Sequence, residues 1–311
     1  MRVVFMGSPE FSIPSLESLY QRFQITGIVT QPDRPAGRGR ALRHSAVKTW
    51  GMDHDIPIIQ PSRIKDSQVI DQIHAWEPNV IVVAAYGQIL PNEILNYPPH
   101  GCLNVHASLL PRWRGAAPTQ TSILHGDQKS GVTIMLMDAG LDTGPILSQR
   151  STAILPEETG GELATRLALI GGELLIETLN PYLNGDIQST PQDESQATYA
   201  PMLKKSDGAL DFSLPAKRLT HQVRAYEPWP SSFLMWGSRR ITIRKAHVSH
   251  EPLAEIGWVS EVFGVPAVGT SKDFLVLDVV QPAGRKAMTG AEFIRGARGF
   301  VGSNLQTIPD N

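Results

Sequence analysis

The residues best suited to chemistry lie in Cys102-Leu-Asn104-Val-His106-Ala-Ser108. On a strand, alternate side chains share a face, so Cys102, Asn104 and His106 point one way and Leu103 and Val105 the other. A cysteine–histidine nucleophile pair is excluded. Four strand residues separate Cys102 from His106 by ~13 Å, too far for a thiol–imidazole hydrogen bond. Cys102 reads instead as a small buried residue. Asn104 and His106 stand only ~7 Å apart, close enough to flank one reacting carbon. Asparagine offers a neutral N–H donor to a developing oxyanion, and histidine can take or give a proton near neutral pH. The same row also fits satisfied polar groups at a strand end.

Three further segments carry polar residues in unusual density. Ser108-Leu-Leu-Pro-Arg-Trp-Arg-Gly115 presents two arginines, fit for an anion or for solvent. Met137-Asp-Ala-Gly-Leu-Asp-Thr-Gly144-Pro is a tight loop with two carboxylates. Either Asp138 or Asp142 could orient His106, and either could cap a turn, as aspartate usually does. The stretch from Gln31 to Lys48 is broken by glycine and proline and carries Arg34, Arg38, Arg40, Arg43 and Lys48 against one acid, Asp33. A long basic loop of this kind is a local footprint for nucleic-acid phosphates. Gly7-Ser-Pro-Glu-Phe fails the G-x-G-x-x-G pattern, which counts against a nicotinamide enzyme.

These segments need a scaffold. Val3 to Met6, Ile25 to Gln31, Pro57 to Gln60, Val80 to Tyr86, Cys102 to Ser108 and Val132 to Met137 read as strands, rich in valine and isoleucine without polar alternation. That pattern suits a parallel sheet covered on both faces. Helices are predicted from Ser8-Pro9 onward, over Asp66 to Trp76, over Ala117 to His125 and over Gly160 to Asn184. The fold class is therefore α/β, doubly wound and mostly parallel. In such sheets ligands bind beyond the carboxyl ends of strands, which points to the loops after Met6, Tyr86, His106 and Met137. Residues 189–206 lack periodicity and read as a linker between a domain of residues 1–188 and one of residues 207–311. After a short helix at Leu219 to Ala225, the last part alternates in closely spaced runs, as a small β-barrel or sandwich does.

Composition sets outer bounds. The chain has 311 residues, 41% of them hydrophobic, and a formal net charge of −2, so no global field announces a nucleic acid. One cysteine rules out an intramolecular disulfide and a cysteine-rich zinc site, and it fits a reducing cytosol. Apolar runs are far shorter than the ~18 residues of a membrane span, and no signal-peptide core precedes Gly7.

Together the motifs closely resemble the methionyl-tRNA formyltransferase family. The matching segments are Gln31-Pro-Asp-Arg-Pro-Ala-Gly-Arg-Gly39, Ala85-Tyr-Gly87, Asn104-Val-His106, Ser108-Leu-Leu-Pro-Arg-Trp-Arg-Gly-Ala-Ala-Pro118, Gly131-Val-Thr-Ile134, Gly140-Leu-Asp-Thr-Gly144, Pro228-Trp-Pro230 and Gln281-Pro-Ala-Gly-Arg-Lys-Ala-Met288. The resemblance implies a Rossmann-like domain followed by an OB-like β-barrel. It implies transfer of the formyl group of 10-formyltetrahydrofolate to the α-amino group of methionyl initiator tRNA. It implies a catalytic set of Asn104, His106 and Asp142, with no such role for Asp138. Ser108, Leu109, Leu110 and Pro111 would line the folate site, and Arg34, Arg38, Arg40 and Arg43 would meet the tRNA acceptor arm. The reaction needs no metal, and the expected state is a cytoplasmic monomer. One departure is Ala107, where the family often has glycine. A relative acting on a sugar nucleotide or small amine shares the Asn/His/Asp set but needs neither the basic loop nor the appended β-domain. A retired scaffold that only binds RNA would not need the set at all.

Overall fold

The structure is a computed structural model that describes residues 1–36, 41–251 and 255–305. Seven strands form the larger sheet. They are β1 (Arg2–Gly7), β2 (Gln24–Val29), β3 (Ile58–Ile59), β4 (Val80–Ala84), β5 (Cys102–His106), β6 (Lys129–Leu136) and β7 (Ile146–Ala153). Their order is β7-β6-β5-β4-β1-β2-β3. The five strands from β5 to β3 run parallel. Their apolar runs are buried throughout β4 and β5, as strands covered on both faces must be. The two strands at the β7 end depart from the parallel pattern. β6 is antiparallel to β5, and β7 is antiparallel to β6. β7 has one buried residue, Leu147, and alternates half-buried and exposed positions beyond it, so its sequence, with Gln149 and Arg150, does not read as a core strand.

Helices α1 (Ile13–Tyr20), α2 (Ala46–Asp53), α3 (Ser67–Ala75) and α4 (Asn92–Leu95) belong to the same unit. The helix expected at Ser8-Pro9 starts later, at Ile13, after a 3-10 turn over Glu10–Ser12. Ser8 has another task. Its Oγ accepts from Gln31 N at 3.1 Å and from Thr30 Oγ1 at 3.2 Å, tying the loop after β1 to the loop after β2. A cluster including Val4, Met6, Val29, Ile73, Ile81, Val83 and Cys102 packs one side of the sheet.

Contacts divide the chain into two compact units. The first is Met1–Pro118, Lys129–Ala153 and Ala164–Pro201, and the second is Thr119–Gln128, Ile154–Leu163 and Met202–Asn311. The stretch expected as a linker is therefore ordered through residue 201. Tyr199–Ala200 pairs in parallel with Arg114–Gly115, and Thr190 bridges Ile146. Helices α5 (Pro118–Leu124) and α6 (Gly160–Asn184) join the pieces of these units.

The second unit is built on an antiparallel sheet of β8 (Ser232–Trp236), β9 (Arg239–Ser249), β10 (Val259–Val262), β11 (Val265–Gly269) and β12 (Phe274–Pro282). Its order is β8-β9-β12-β11-β10. Helices α7 (Ala216–Ala225) and α8 (Gly290–Gly296) cover a core of Leu219, Val223, Leu234, Ile243, Leu275, Leu277 and Phe300. Trp236, Phe293 and Phe300 meet edge to face within it. Among the described residues, no helix is long and apolar enough to cross a membrane.

Candidate active site

Asn104 and His106 lie at the carboxyl half of β5, 9% and 5% exposed. Buried polar groups need partners, and Asp142 stands beside both. Asn104 Nδ2 donates to Asp142 Oδ1 at 3.4 Å, and His106 Nδ1 stands 3.7 Å from Oδ2. The structure thus gathers the three expected residues, although Asp142 comes from a separate loop. The two aspartates divide the alternatives between them. Asp138 accepts from Gly140 N at 3.0 Å and Thr143 Oγ1 at 2.7 Å, a turn cap at the surface. Asp142 faces inward.

Asp142 reaches the site by an unexpected route. Because β6 runs antiparallel to β5, Leu136 pairs with Leu103, and Met137 N donates to Cys102 O. The loop after Met137 therefore leaves at the amino end of β5 and must fold back. Gly144 permits this, since a Cβ there would sit 1.9 Å from Leu136 O. Asp142 itself has φ 53°, in the left-handed region that aspartate tolerates better than most residues.

The far side of His106 is equally constrained. Its Nε2 lies 3.0 Å from the carbonyl oxygen of Trp113. A carbonyl only accepts, so Nε2 carries the proton. In the neutral ring the lone pair is then at Nδ1, on the side of Asp142. Gly115 N donates to Asp142 Oδ2 at 2.8 Å. Gly115 has φ 112°, and a Cβ there would lie 2.6 Å from Ala200 O. The loop after β5 thus holds both the imidazole and the carboxylate.

Ser108 to Pro111 are clamped beside these groups. Thr133 Oγ1 donates to Ser108 O at 2.6 Å and accepts from Leu110 N at 3.1 Å. Gln149 Nε2 donates to Leu110 O at 2.8 Å. Leu110 is buried, and Leu109 packs over Gly131. Thr133, Gln149 and Gln192 were not among the expected site residues. Thr133 sits in an expected strand, Gln192 in the expected linker and Gln149 in neither, and only the pairing of distant segments gives each its partners. Ala107 has ordinary negative φ, so alanine in place of glycine strains nothing.

One expected role changes. Arg114 is wholly buried against Gln192 and Glu194, so it is not an anion site. Arg112 lies over the Trp113 ring at 4.2 Å. Cys102 donates weakly to Ile94 O, and burial pushes its thiol up to about 12, which suits packing rather than nucleophilic attack.

At the basic loop, Arg34–Ala36 and Ala41–Arg43 form a two-stranded ribbon with Arg34 opposite Arg43. Both arginines are exposed. Arg38 and Arg40 lie outside the described residues. Lys48 does not add to the basic face, because its Nζ is 2.6 Å from Asp33 Oδ2. With Gln60 and His44 also donating, the Asp33 carboxyl is held down to about 2.

Comparison with known proteins decides the relationship. A formyl transferase family model matches residues 1–179, and a formyl transferase C-terminal domain model matches residues 202–298. The methionyl-tRNA formyltransferase of Roseiflexus sp. (strain RS-1) is 42% identical over 309 residues, covering 98% of this chain and 95% of the relative. The chain belongs to the methionyl-tRNA formyltransferase family. Among solved structures, the sugar 3N-formyl transferase WlaRD superposes with a TM-score of 0.67 at 17% identity, covering 92% of this chain and 99% of that one. A variant of HypX from Aquifex aeolicus superposes with a TM-score of 0.65 at 15% identity. It covers 98% of this chain, which spans only 49% of the HypX chain. At such identities these structures show a shared fold alone, and the whole-chain relative gives the membership.

Proposed function

We infer that the protein transfers the formyl group of 10-formyltetrahydrofolate to the α-amino group of methionyl initiator tRNA. The observation that carries the chemistry is the convergence of Asn104, His106 and Asp142, an N–H donor, an imidazole and a carboxylate, in a chain of this family. The amine nitrogen attacks the formyl carbon, whose oxygen becomes an oxyanion. Asn104 has an amide hydrogen to give to that oxygen. The amine proton passes to Nδ1 of His106, the ring nitrogen that is not engaged by Trp113 O. The imidazolium so formed faces the Asp142 carboxylate. As the carbon–nitrogen bond to the folate breaks, the same proton goes to the departing N10. A formyl amide and tetrahydrofolate remain, and atoms and charge balance.

The clamped segment Ser108–Pro111 is the proposed folate contact, and Arg34 and Arg43 of the ribbon, together with Arg38 and Arg40 of the same sequence segment, are the proposed contacts for the acceptor arm. A cytoplasmic monomer completes the reading. The lone buried cysteine suits a reducing compartment, and sedimentation measures the state.

The test is formyl transfer from 10-formyltetrahydrofolate to methionyl initiator tRNA, methionyl elongator tRNA and free methionine in parallel. Fast transfer to the initiator alone is expected. Transfer to none of them, with folate still bound, overturns the acceptor and directs attention to amino-sugar nucleotides.

A further inference from the structure

Arg114 has no solvent exposure. A guanidinium keeps its charge in proteins, so burial demands strong partners. Glu194 supplies two contacts, Nη1 to Oε2 at 2.9 Å and Nη2 to Oε1 at 2.8 Å. Gln192 supplies two more, its Oε1 accepting from Nε at 3.0 Å and Nη2 at 2.9 Å.

This pairing fixes which way the Gln192 amide points. Its oxygen faces the cation, so its nitrogen faces the other way. There Nε2 donates to Asp142 O at 2.8 Å and to Gly144 O at 2.7 Å. A flipped amide would aim N–H groups at a guanidinium and an oxygen at two carbonyls. The clamp spans the turn in which Asp142 takes its left-handed φ of 53°. The residue beside Arg114, Gly115, holds the Asp142 carboxylate itself. Backbone and side chain of Asp142 are therefore both registered to the same dipeptide, one of them through Gln192.

We propose that Gln192, oriented by Arg114, is a positioning residue that aims the Asp142 carboxylate at Asn104 and His106 during formyl transfer. The proposal rests on the reading of Asp142 as part of the catalytic set. The Gln192 amide is engaged by Arg114 on one side and by Asp142 O and Gly144 O on the other, so it acts through the turn.

The test is a double-mutant cycle on the full chain, with kcat, both KM values and thermal midpoints measured. The variants are Gln192→Glu, Gln192→Met, Asp142→Asn and the two combinations. Gln192→Glu keeps an acceptor for Arg114, so the fold survives even if Gln192→Met does not fold. Each Gln192 change is expected to lower kcat at least about tenfold, with either KM moving less than about threefold. In the Asp142→Asn background the same change should add almost nothing, because its route to the chemistry is gone. Equal losses in both backgrounds, or an unchanged kcat in Gln192→Glu, overturn the proposal. Wild-type kcat in Asp142→Asn overturns instead the catalytic reading beneath it.

Discussion

His106 Nε2 and the carbonyl oxygen of Trp113 are 3.0 Å apart, and this one contact assigns the working nitrogen of the ring. The imidazole donates backwards into the loop after β5 and turns Nδ1 toward Asp142. The neutral enzyme should therefore carry the Nε2–H tautomer of His106. Long-range proton–nitrogen correlation on histidine-labelled protein reports the two nitrogens separately. A protonated Nε2 with a pyridine-like Nδ1 is expected. The reverse pattern removes Nδ1 as the proton acceptor.

Asn104→Ala and His106→Ala each delete a group that acts on the transition state. Loss of one oxyanion donor costs ~10²–10³ in rate, and both variants should fall at least that far in single-turnover formyl transfer. Folate binding should change little, because Asn104 and His106 are expected to meet the developing charge rather than the ground state. Near-wild-type turnover in a folded variant takes that residue out of the mechanism.

Much of the fold is legible locally because its cause is local. Val80 to Ala84 is apolar on both faces, and that alone marks a central parallel strand. Strand direction leaves no such mark. Nothing in Gly131 to Leu136 distinguishes a parallel neighbour of β5 from the antiparallel one observed. The carboxyl-end rule points to the loop after Met137, yet that loop leaves from the opposite end, and only its return through Gly144 brings Asp142 to His106. Arg114 shows the other limit. An arginine in a polar loop reads as exposed until Gln192 and Glu194, about eighty residues away, are found around it.

Arg34 and Arg43 face each other directly across their ribbon. Like charges in that position repel, and a phosphate between them relieves the repulsion. Arg34→Ala and Arg43→Ala should each weaken tRNA binding and reduce the slope of log K against log salt by about 1. Neither should affect the KM for 10-formyltetrahydrofolate or lower thermal stability. Unchanged salt slopes in both variants would place the ribbon away from the tRNA backbone.

Asp33 anchors the base of that ribbon through Lys48, Gln60 and His44. Its carboxyl is held down to about 2 from the usual 3.8, chiefly by the Lys48 hydrogen bond. The sign follows from linkage. A carboxylate with a depressed folded pKa contributes stability that is complete above its unfolded pKa, and the contribution disappears as pH falls through the folded one. The anchor should thus be fully formed at neutral pH and lost only between about 4 and about 2. Carbon-detected titration of the Asp33 carboxyl should show a midpoint near the lower bound. In Lys48→Met the midpoint should rise toward 3.8, since the largest cause of the depression is removed. A wild-type midpoint already at the ordinary value would mean that Lys48 and Asp33 are not paired in solution, and that Lys48 adds its charge to the basic face after all.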